Sequence, residues 1–310
     1  MICSSSSRNV FVYSVETGSL ISKISEQHGD RISGLGSTPH QPNLFCTSCM
    51  DGSVKFWDIR QKTNIKTFNS NLELSCVDLS GDLSTVVSAG DTTVILWDFN
   101  TGKVAGQYAD IHSEEIVSVR VHPKSGFIYS GGIDGLVSIF DMSLGTTEDD
   151  TYVSALNCEN AISKMGFFGT ENEYLWASTL VEELSLFELT NESLLSTSKS
   201  IREHLSSLSG TPIQSLIDCK YNKSSTSLTL FAGTLEGGFS LFSVARNEVS
   251  FIESLPQIHT DVVRTISTHQ NHLLVTGGDD GLVAFWTKGD HHNTTKETKF
   301  LQSCNKVVHQ

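Results

Sequence analysis

An aromatic residue recurs six positions after a turn-forming acidic residue, and this spacing constrains the fold more than any bulk property of the chain. "DGSVKFW" places Trp57 six residues after Asp51, and "DTTVILW" repeats the interval for Asp91 and Trp97. "DGLVSIF" spans Asp134 to Phe140, and "DGLVAFW" spans Asp280 to Trp286. "EGGFSLF" runs from Glu236 to Phe242, with Glu in place of Asp. With only 4 Trp in 310 residues, five matches at one spacing mark an internal repeat.

Alignment on the aromatic position adds Phe187 in "ELSLFEL" and, more loosely, Tyr13 in "NVFVYSV". The successive intervals are then 44, 40, 43, 47, 55 and 44 residues. Each clear unit has one internal grammar. "RISGLGS", "NLFCTSC" and "SVKFWD" alternate apolar and polar residues and predict three short strands. The Asp-Gly between the second and third is a hairpin turn, because Gly tolerates positive φ and Asp bonds its own backbone. "TNIKTF" at 63–68 predicts a fourth strand. Four-stranded antiparallel units repeated seven times cannot make one sandwich; they predict blades around an axis.

On these residues the chain resembles the WD-repeat β-propeller family over nearly its whole length. The resemblance implies a structural tetrad in each regular blade: a His before the first strand, a Ser or Thr on the second, an Asp in the turn and a Trp on the third. His28, Thr47, Asp51 and Trp57 fit it, and so do His259, Thr276, Asp280 and Trp286. His112, Ser130 and Asp134 fit with Phe140 in the Trp place. The third unit keeps Asp91 and Trp97 without a matching His; the fifth and sixth have neither His nor Asp. Three segments, "IHSEEIVSVRVHPKSGFIYSGGIDGLVSIFD", "SIREHLSS" and "LLVTGGDDGLVAFW", are similar to the group called WD repeat-containing protein 89, which implies an interaction protein.

The expected architecture is all-β, a single seven-bladed propeller over 1–310. The approximate blades are 1–26, 27–69, 70–110, 111–152, 153–198, 199–254 and 255–300, with 287–310 a closing strand or tail. The first blade is expected to be incomplete: "MIC" already reads as the strand before "NVFVYSV". Residues 294–310 are expected to add the outer strand of the last blade and to complete the first; the rival is a shortened chain. The long interval before Phe242 holds "LTNESLLSTSKSIREHLSSLSGTP", in which 200–208 predicts a short amphipathic helix inside a flexible or functional insertion.

Composition excludes several classes. Hydrophobic residues at 38% and charged residues at 18% suit a soluble globular protein. No apolar run reaches the roughly 18 residues that span a bilayer, so no membrane partner is expected. The net charge of −14 repels phosphate backbones, and direct nucleic-acid binding is not expected. The lysines Lys288, Lys296, Lys299 and Lys306 read as a solvated tail. Seven cysteines suit free thiols in a reducing compartment, so the expected address is intracellular, cytoplasm and/or nucleus, and the sequons at Asn191, Asn222 and Asn293 carry little weight.

His, Ser/Thr and Asp recurring together invite a catalytic reading. An enzyme needs one active site, and this set recurs in three units, so it reads as a buried hydrogen-bond network instead. Cys46 and Cys49 resemble half a zinc site, but residues three apart on a strand point to opposite faces and no second pair lies nearby. His291 and His292 lie in a polar tail. No phosphate loop, HExxH or GxSxG is present. The chain is therefore expected to be no enzyme, with no cofactor and no metal.

The expected function is a scaffold that binds peptide segments of other proteins as a monomeric propeller within a complex. The acidic stretches Glu148, Asp149, Asp150 and Glu114, Glu115 would suit a basic segment, or would be merely solvated. The alternative rests on "WDIR", Trp57 to Arg60. This WDxR box resembles the docking signature of substrate receptors for cullin–RING ubiquitin ligases, which implies that Asp58 and Arg60 face an acidic surface of the adaptor. Otherwise Arg60 simply ends a surface strand.

Overall fold

The computed structural model describes residues 2–4, 8–25, 27–145, 147–246, 248–269, 273–288, 300–301 and 307–308. The strands pair with their chain neighbours in antiparallel meanders. The first sheet holds β1 (Ile2–Ser4), β2 (Val10–Tyr13) and β3 (Leu20–Ile24). The second holds β4 (Ile32–Ser37), β5 (Leu44–Cys49), β6 (Ser53–Asp58) and β7 (Thr63–Asn69). The third holds β8 (Cys76–Leu79), β9 (Thr85–Gly90), β10 (Thr93–Asp98) and β11 (Val104–Tyr108). In the fourth, β12 (Ile116–Val121), β13 (Ile128–Gly132) and β14 (Leu136–Phe140) are followed by one helical turn, α1 (Glu148–Thr151), and β15 (Tyr152–Asn157).

The fifth sheet consists of β16 (Ile162–Phe168), β17 (Tyr174–Thr179), β18 (Leu184–Glu188) and β19 (Ser193–Ser198). Helix α2 (Ile201–Ser209) leads to the sixth, β20 (Ser215–Asn222), β21 (Ser227–Gly233), β22 (Phe239–Val244) and β23 (Val249–Leu255). The last has β24 (Val263–His269), β25 (Leu273–Gly278) and β26 (Leu282–Lys288), with β27 (Phe300–Leu301) and β28 (Val307–Val308) both pairing β26. The chain falls into two compact units, residues 1–165 with 179–181, and residues 166–178 with 182–310.

Among the described residues six sheets thus have four strands or more and one has three: there are six blades, where seven, the first of them short of a strand, were expected. Among the described residues, those of 1–26 supply three strands, and neither β27 nor β28 pairs with β1. The fourth unit also runs further than its expected end at 152, because β15 continues to Asn157 after α1.

Burial explains the strand pattern. The second and third strands of the sheets are covered on both faces, as in β5, β9 and β13, where nearly every residue is buried. The fourth strands β7, β11 and β15 bury little besides one apolar residue near the end, Phe68, Tyr108 and Leu156. That residue packs on the aromatic position of the next sheet: Phe68 stacks on Trp97 at 5.4 Å and Tyr108 on Phe140 at 5.3 Å. Apolar clusters therefore lie between successive sheets, for example Val54, Phe56 and Phe68 with Val86, Ile95 and Trp97. Each such aromatic pair contributes about 0.5–1.5 kcal/mol beyond its buried area.

Helix α2 forms where the sequence predicts one. It buries Ile201 and Leu205 against Leu228, Leu230 and Phe242, and it ends on Gly210 in the left-handed conformation at φ 69°. That end suits a residue without Cβ.

Candidate functional site

The aromatic positions of six sheets share one backbone irregularity. The ladder between the strand that carries the aromatic and the strand after it shifts register just before Tyr13, Trp57, Trp97, Phe140, Phe187 and Phe242. A bulge re-aims the side chain that follows it. Here it turns each aromatic into the interior, where all six are buried. Tyr13 and Phe187, the weakest matches by sequence, occupy the same place as the tryptophans.

In the last sheet, Trp286 Nε1 donates to Thr276 Oγ1 at 3.0 Å and His259 Nε2 lies 2.7 Å from that same hydroxyl. His259 Nδ1 faces the Asp280 carboxylate at 3.1 Å. Asp280 also accepts from the backbone N–H of Thr260 and Leu282 at 2.9 and 3.0 Å. Burial alone would raise the Asp280 carboxyl, but these N–H donors and His259 outweigh it and hold the acid below its ordinary value. The fourth sheet repeats the set: His112 Nε2 meets Ser130 Oγ at 2.8 Å, and Nδ1 meets Asp134 at 3.0 Å. Phe140 has no N–H to give, so Ser130 lacks the indole bond.

The second sheet holds the same four residues differently. His28 Nε2 lies 2.7 Å from Thr47 Oγ1, which also accepts from Trp57 Nε1 at 2.9 Å. His28 Nδ1, however, stands 3.7 Å from Asp51. The Ser53 hydroxyl sits between them, 3.1 Å from Nδ1 and donating to Asp51 Oδ1 at 2.6 Å. Burial pushes the His28 imidazole down to about 4, with Lys55 adding to the effect against the pull of Asp51. Burial opposes ionisation of Asp51 too, but bonds from Ser53 and from Gly29 N–H hold that carboxyl far below its usual range. Cys49 completes the corner: its thiol accepts from Asp51 N–H at 3.3 Å. One nitrogen, one sulfur and one oxygen of His28, Cys49 and Asp51 lie within 4.8 Å of one another.

Asp91 of the third sheet is not in such a set. The turn there is one residue shorter, Gly90 pairing Thr93, and Asp91 sits exposed in it at φ 51°. Trp97 still donates to Ser88 at 2.9 Å. The turn 180–182 of the fifth sheet and the turn 234–237 of the sixth, which have no buried Asp, put Leu180 (59 % exposed), Val181 (51 %) and Leu235 (55 %) in solvent.

The WDIR residues form a closed fork. Arg60 donates from Nη2 to Asp58 Oδ2 at 2.6 Å and from Nε to Oδ1 at 3.0 Å, and its backbone N–H adds 2.9 Å to Oδ1. The Arg60 side chain is 66 % exposed and Asp58 is buried. Arg60 lowers the Asp58 carboxyl to about 2. Cys46 lies in an apolar cluster with Phe56 and Leu79, away from the polar corner of Cys49. Glu148, Asp149 and Asp150 form the acidic face of α1, capped by Thr147, while Glu114 and Glu115 are exposed. His291 and His292, with Lys296, Lys299 and Lys306, lie outside the described residues.

Sequence reasoning missed Ser53 and paired Cys49 only with Cys46, not with His28 and Asp51. The signal was present: "CMDGS" in the second unit stands against "GIDGL" and "GDDGL" in the fourth and last, a Cys for Gly and a Ser for Leu on either side of the turn.

The WD domain, G-beta repeat family model matches residues 18–58, 62–98, 108–141 and 252–287. Those stretches contain the aromatic positions 57, 97, 140 and 286. The chain belongs to the WD40-repeat family, and its sheets are the blades of a β-propeller. Within that family it is similar to WD repeat-containing protein 89 homolog of Dictyostelium discoideum, at 31% identity over 79% of this chain and 67% of that protein. WD repeat-containing protein GTS1 of Arabidopsis thaliana is 26% identical over 93% of this chain and 78% of its own length. Autophagy-related protein 16 of Arabidopsis thaliana is 27% identical over 46% of this chain and 28% of that protein. No helix among the described residues is long and apolar enough to cross a membrane.

Proposed function

We propose that this propeller is a non-enzymatic scaffold that binds segments of partner proteins through the turns between the second and third strands of its blades. The observation that carries the reading is the contrast among those turns. Where the fourth and last blades bury an Asp in hydrogen bonds, the fifth exposes Leu180 and Val181 and the sixth exposes Leu235. Adjacent exposed apolar residues on a rigid hairpin suit a partner's apolar segment, and a few such anchors carry most of an interface. Each His–Ser/Thr–Asp set is bonded inside its own blade, so none presents an open nucleophile. Cys46, Cys49, Cys76 and Cys158 form no disulfide, which supports a reducing, intracellular address.

A second reading, docking to a cullin–RING adaptor through Arg60, is favoured by the exposure of that side chain. The fork to Asp58 weighs against it, because an acidic partner would have to compete with a carboxylate already in bidentate geometry. Affinity purification with mass spectrometry separates the two. Leu180→Asp with Val181→Asp is expected to lose the partners that wild type recovers with a melting temperature within a few degrees of wild type, while Arg60→Asp keeps them. Partners retained by the double variant would refute the turn as the binding surface. An adaptor present with wild type and absent with Arg60→Asp would establish the docking box.

A further inference from the structure

The second blade departs from its own repeat at one corner. At the end of the second strand the fourth and last blades have Gly132 and Gly278. A Cβ on either would meet the Nδ1 of His112 or His259 at 2.6 or 2.7 Å, closer than packed atoms approach. The second blade has Cys49 in that place, fully buried. Its His28 and Asp51 stand 3.7 Å apart, against 3.0 and 3.1 Å for the corresponding pairs. A gap of 3.7 Å is too long for a hydrogen bond. It is close to the separation of two ligands on one metal: nitrogen and oxygen bonds of about 2.0–2.2 Å give a tetrahedral edge of about 3.3–3.6 Å.

We propose that His28 Nδ1, Cys49 Sγ and the Asp51 carboxylate form a site for Zn²⁺ or a similar divalent transition metal, with water in the fourth position. Imidazole, thiolate and carboxylate are the donors such ions take, whereas Ca²⁺ and Mg²⁺ take oxygen alone. The supporting shell is in place. Thr47 Oγ1 holds the other ring nitrogen of His28 at 2.7 Å, and Gly29 N–H and Ser53 N–H bond Asp51 at 2.6 and 2.9 Å. Ser53 Oγ, between Nδ1 and the carboxylate, occupies the space the ion would enter, and it yields its contact with Nδ1 on loading. Asp51 keeps 22 % of its side chain exposed, against 5 and 7 % for Asp280 and Asp134, which opens a path from solvent. Protons balance simply: the Cys49 thiol gives its proton to solvent, and the imidazole carries its single ring proton on Nε2, where Thr47 Oγ1 accepts it. The competing explanation is that Cys49 only wedges the His–Asp pair apart and Ser53 mends the gap.

The test is Co²⁺ titration of the full, reduced, chelator-treated chain, read by thiolate-to-cobalt charge-transfer absorption, followed by displacement with Zn²⁺. Wild type is expected to bind one Co²⁺ with thiolate absorption that Zn²⁺ abolishes. Cys49→Gly restores the residue of the sister blades, so its far-ultraviolet circular dichroism should be unchanged, and its affinity at this site should fall by more than about 100-fold. Asp51→Asn gives a second, isosteric loss. His291→Ala with His292→Ala should bind as wild type does. Thiolate absorption missing from wild type, or persisting in Cys49→Gly, overturns the proposal.

Discussion

The second and last blades contain the same four residues, His, Thr, Asp and Trp, yet only the last closes the network. His259 bonds Asp280 directly, whereas His28 reaches Asp51 through the Ser53 hydroxyl. The four named positions are identical, so their neighbours set the difference. Gly278 lets the His–Asp pair sit against bare backbone, and Cys49 does not. A motif thus specifies which atoms can bond, while the small residues beside it decide the distances at which they do.

Breaking the closed network should have the largest effect. Asp280→Ala leaves His259 and two backbone N–H groups without a partner, and the expected loss is about 3 kcal/mol in urea unfolding. Asp51→Ala should cost about 1 kcal/mol less, because no direct His bond is broken. Equal losses would show that the 3.7 Å gap has no energetic meaning.

Acid comes next. His28 stays neutral in the fold down to about pH 4, while the unfolded chain takes up that proton near 6.5. The unfolded state therefore binds more protons between these values, and stability falls as the pH drops from about 6.5 to 4, by at most about 3 kcal/mol. His28→Gln should flatten this slope in denaturation curves taken across the window; an unaltered slope would assign it to other groups.

Exchanging the corner residues sharpens the comparison. Gly278→Cys puts a Cβ against His259 Nδ1 and should lower stability by about 2 kcal/mol as the pair is forced apart. The reverse exchange, Cys49→Gly, should leave the metal-free melting temperature level or raise it slightly. Trp57→Phe is expected to cost about 1 kcal/mol, the smallest of the destabilising effects. It removes one bond to Thr47 and leaves the arrangement that Phe140 already occupies in the fourth blade.

Much of the architecture was legible in the chain. The six-residue interval located the turns, and alternating strands located the meanders, because period-two burial and hairpin chemistry are local. Tyr13 and Phe187 were weaker matches because neither unit carries the Asp-Gly turn; the bulge that places them is a property of paired strands. The number of complete blades was less legible. A count of aromatic positions counts the first unit as a blade; "MIC" already marked it as short of a strand, and strand pairing showed that, among the described residues, the end of the chain does not complete it. The end of the fourth unit slipped for a related reason, since α1 lengthens its last connection without disturbing the repeat.

The sequence by itself determined the repeat and the strand order, because spacing and residue type suffice for these. Tertiary structure alone decided which tetrads close, that Arg60 folds onto Asp58, and that Cys49 meets His28 and Asp51. The tetrads and the Cys49 corner depend on ångström-scale gaps between residues some twenty positions apart, set by packing around the turn, and the Arg60 fork depends on the side-chain conformation that brings it back onto a buried Asp58.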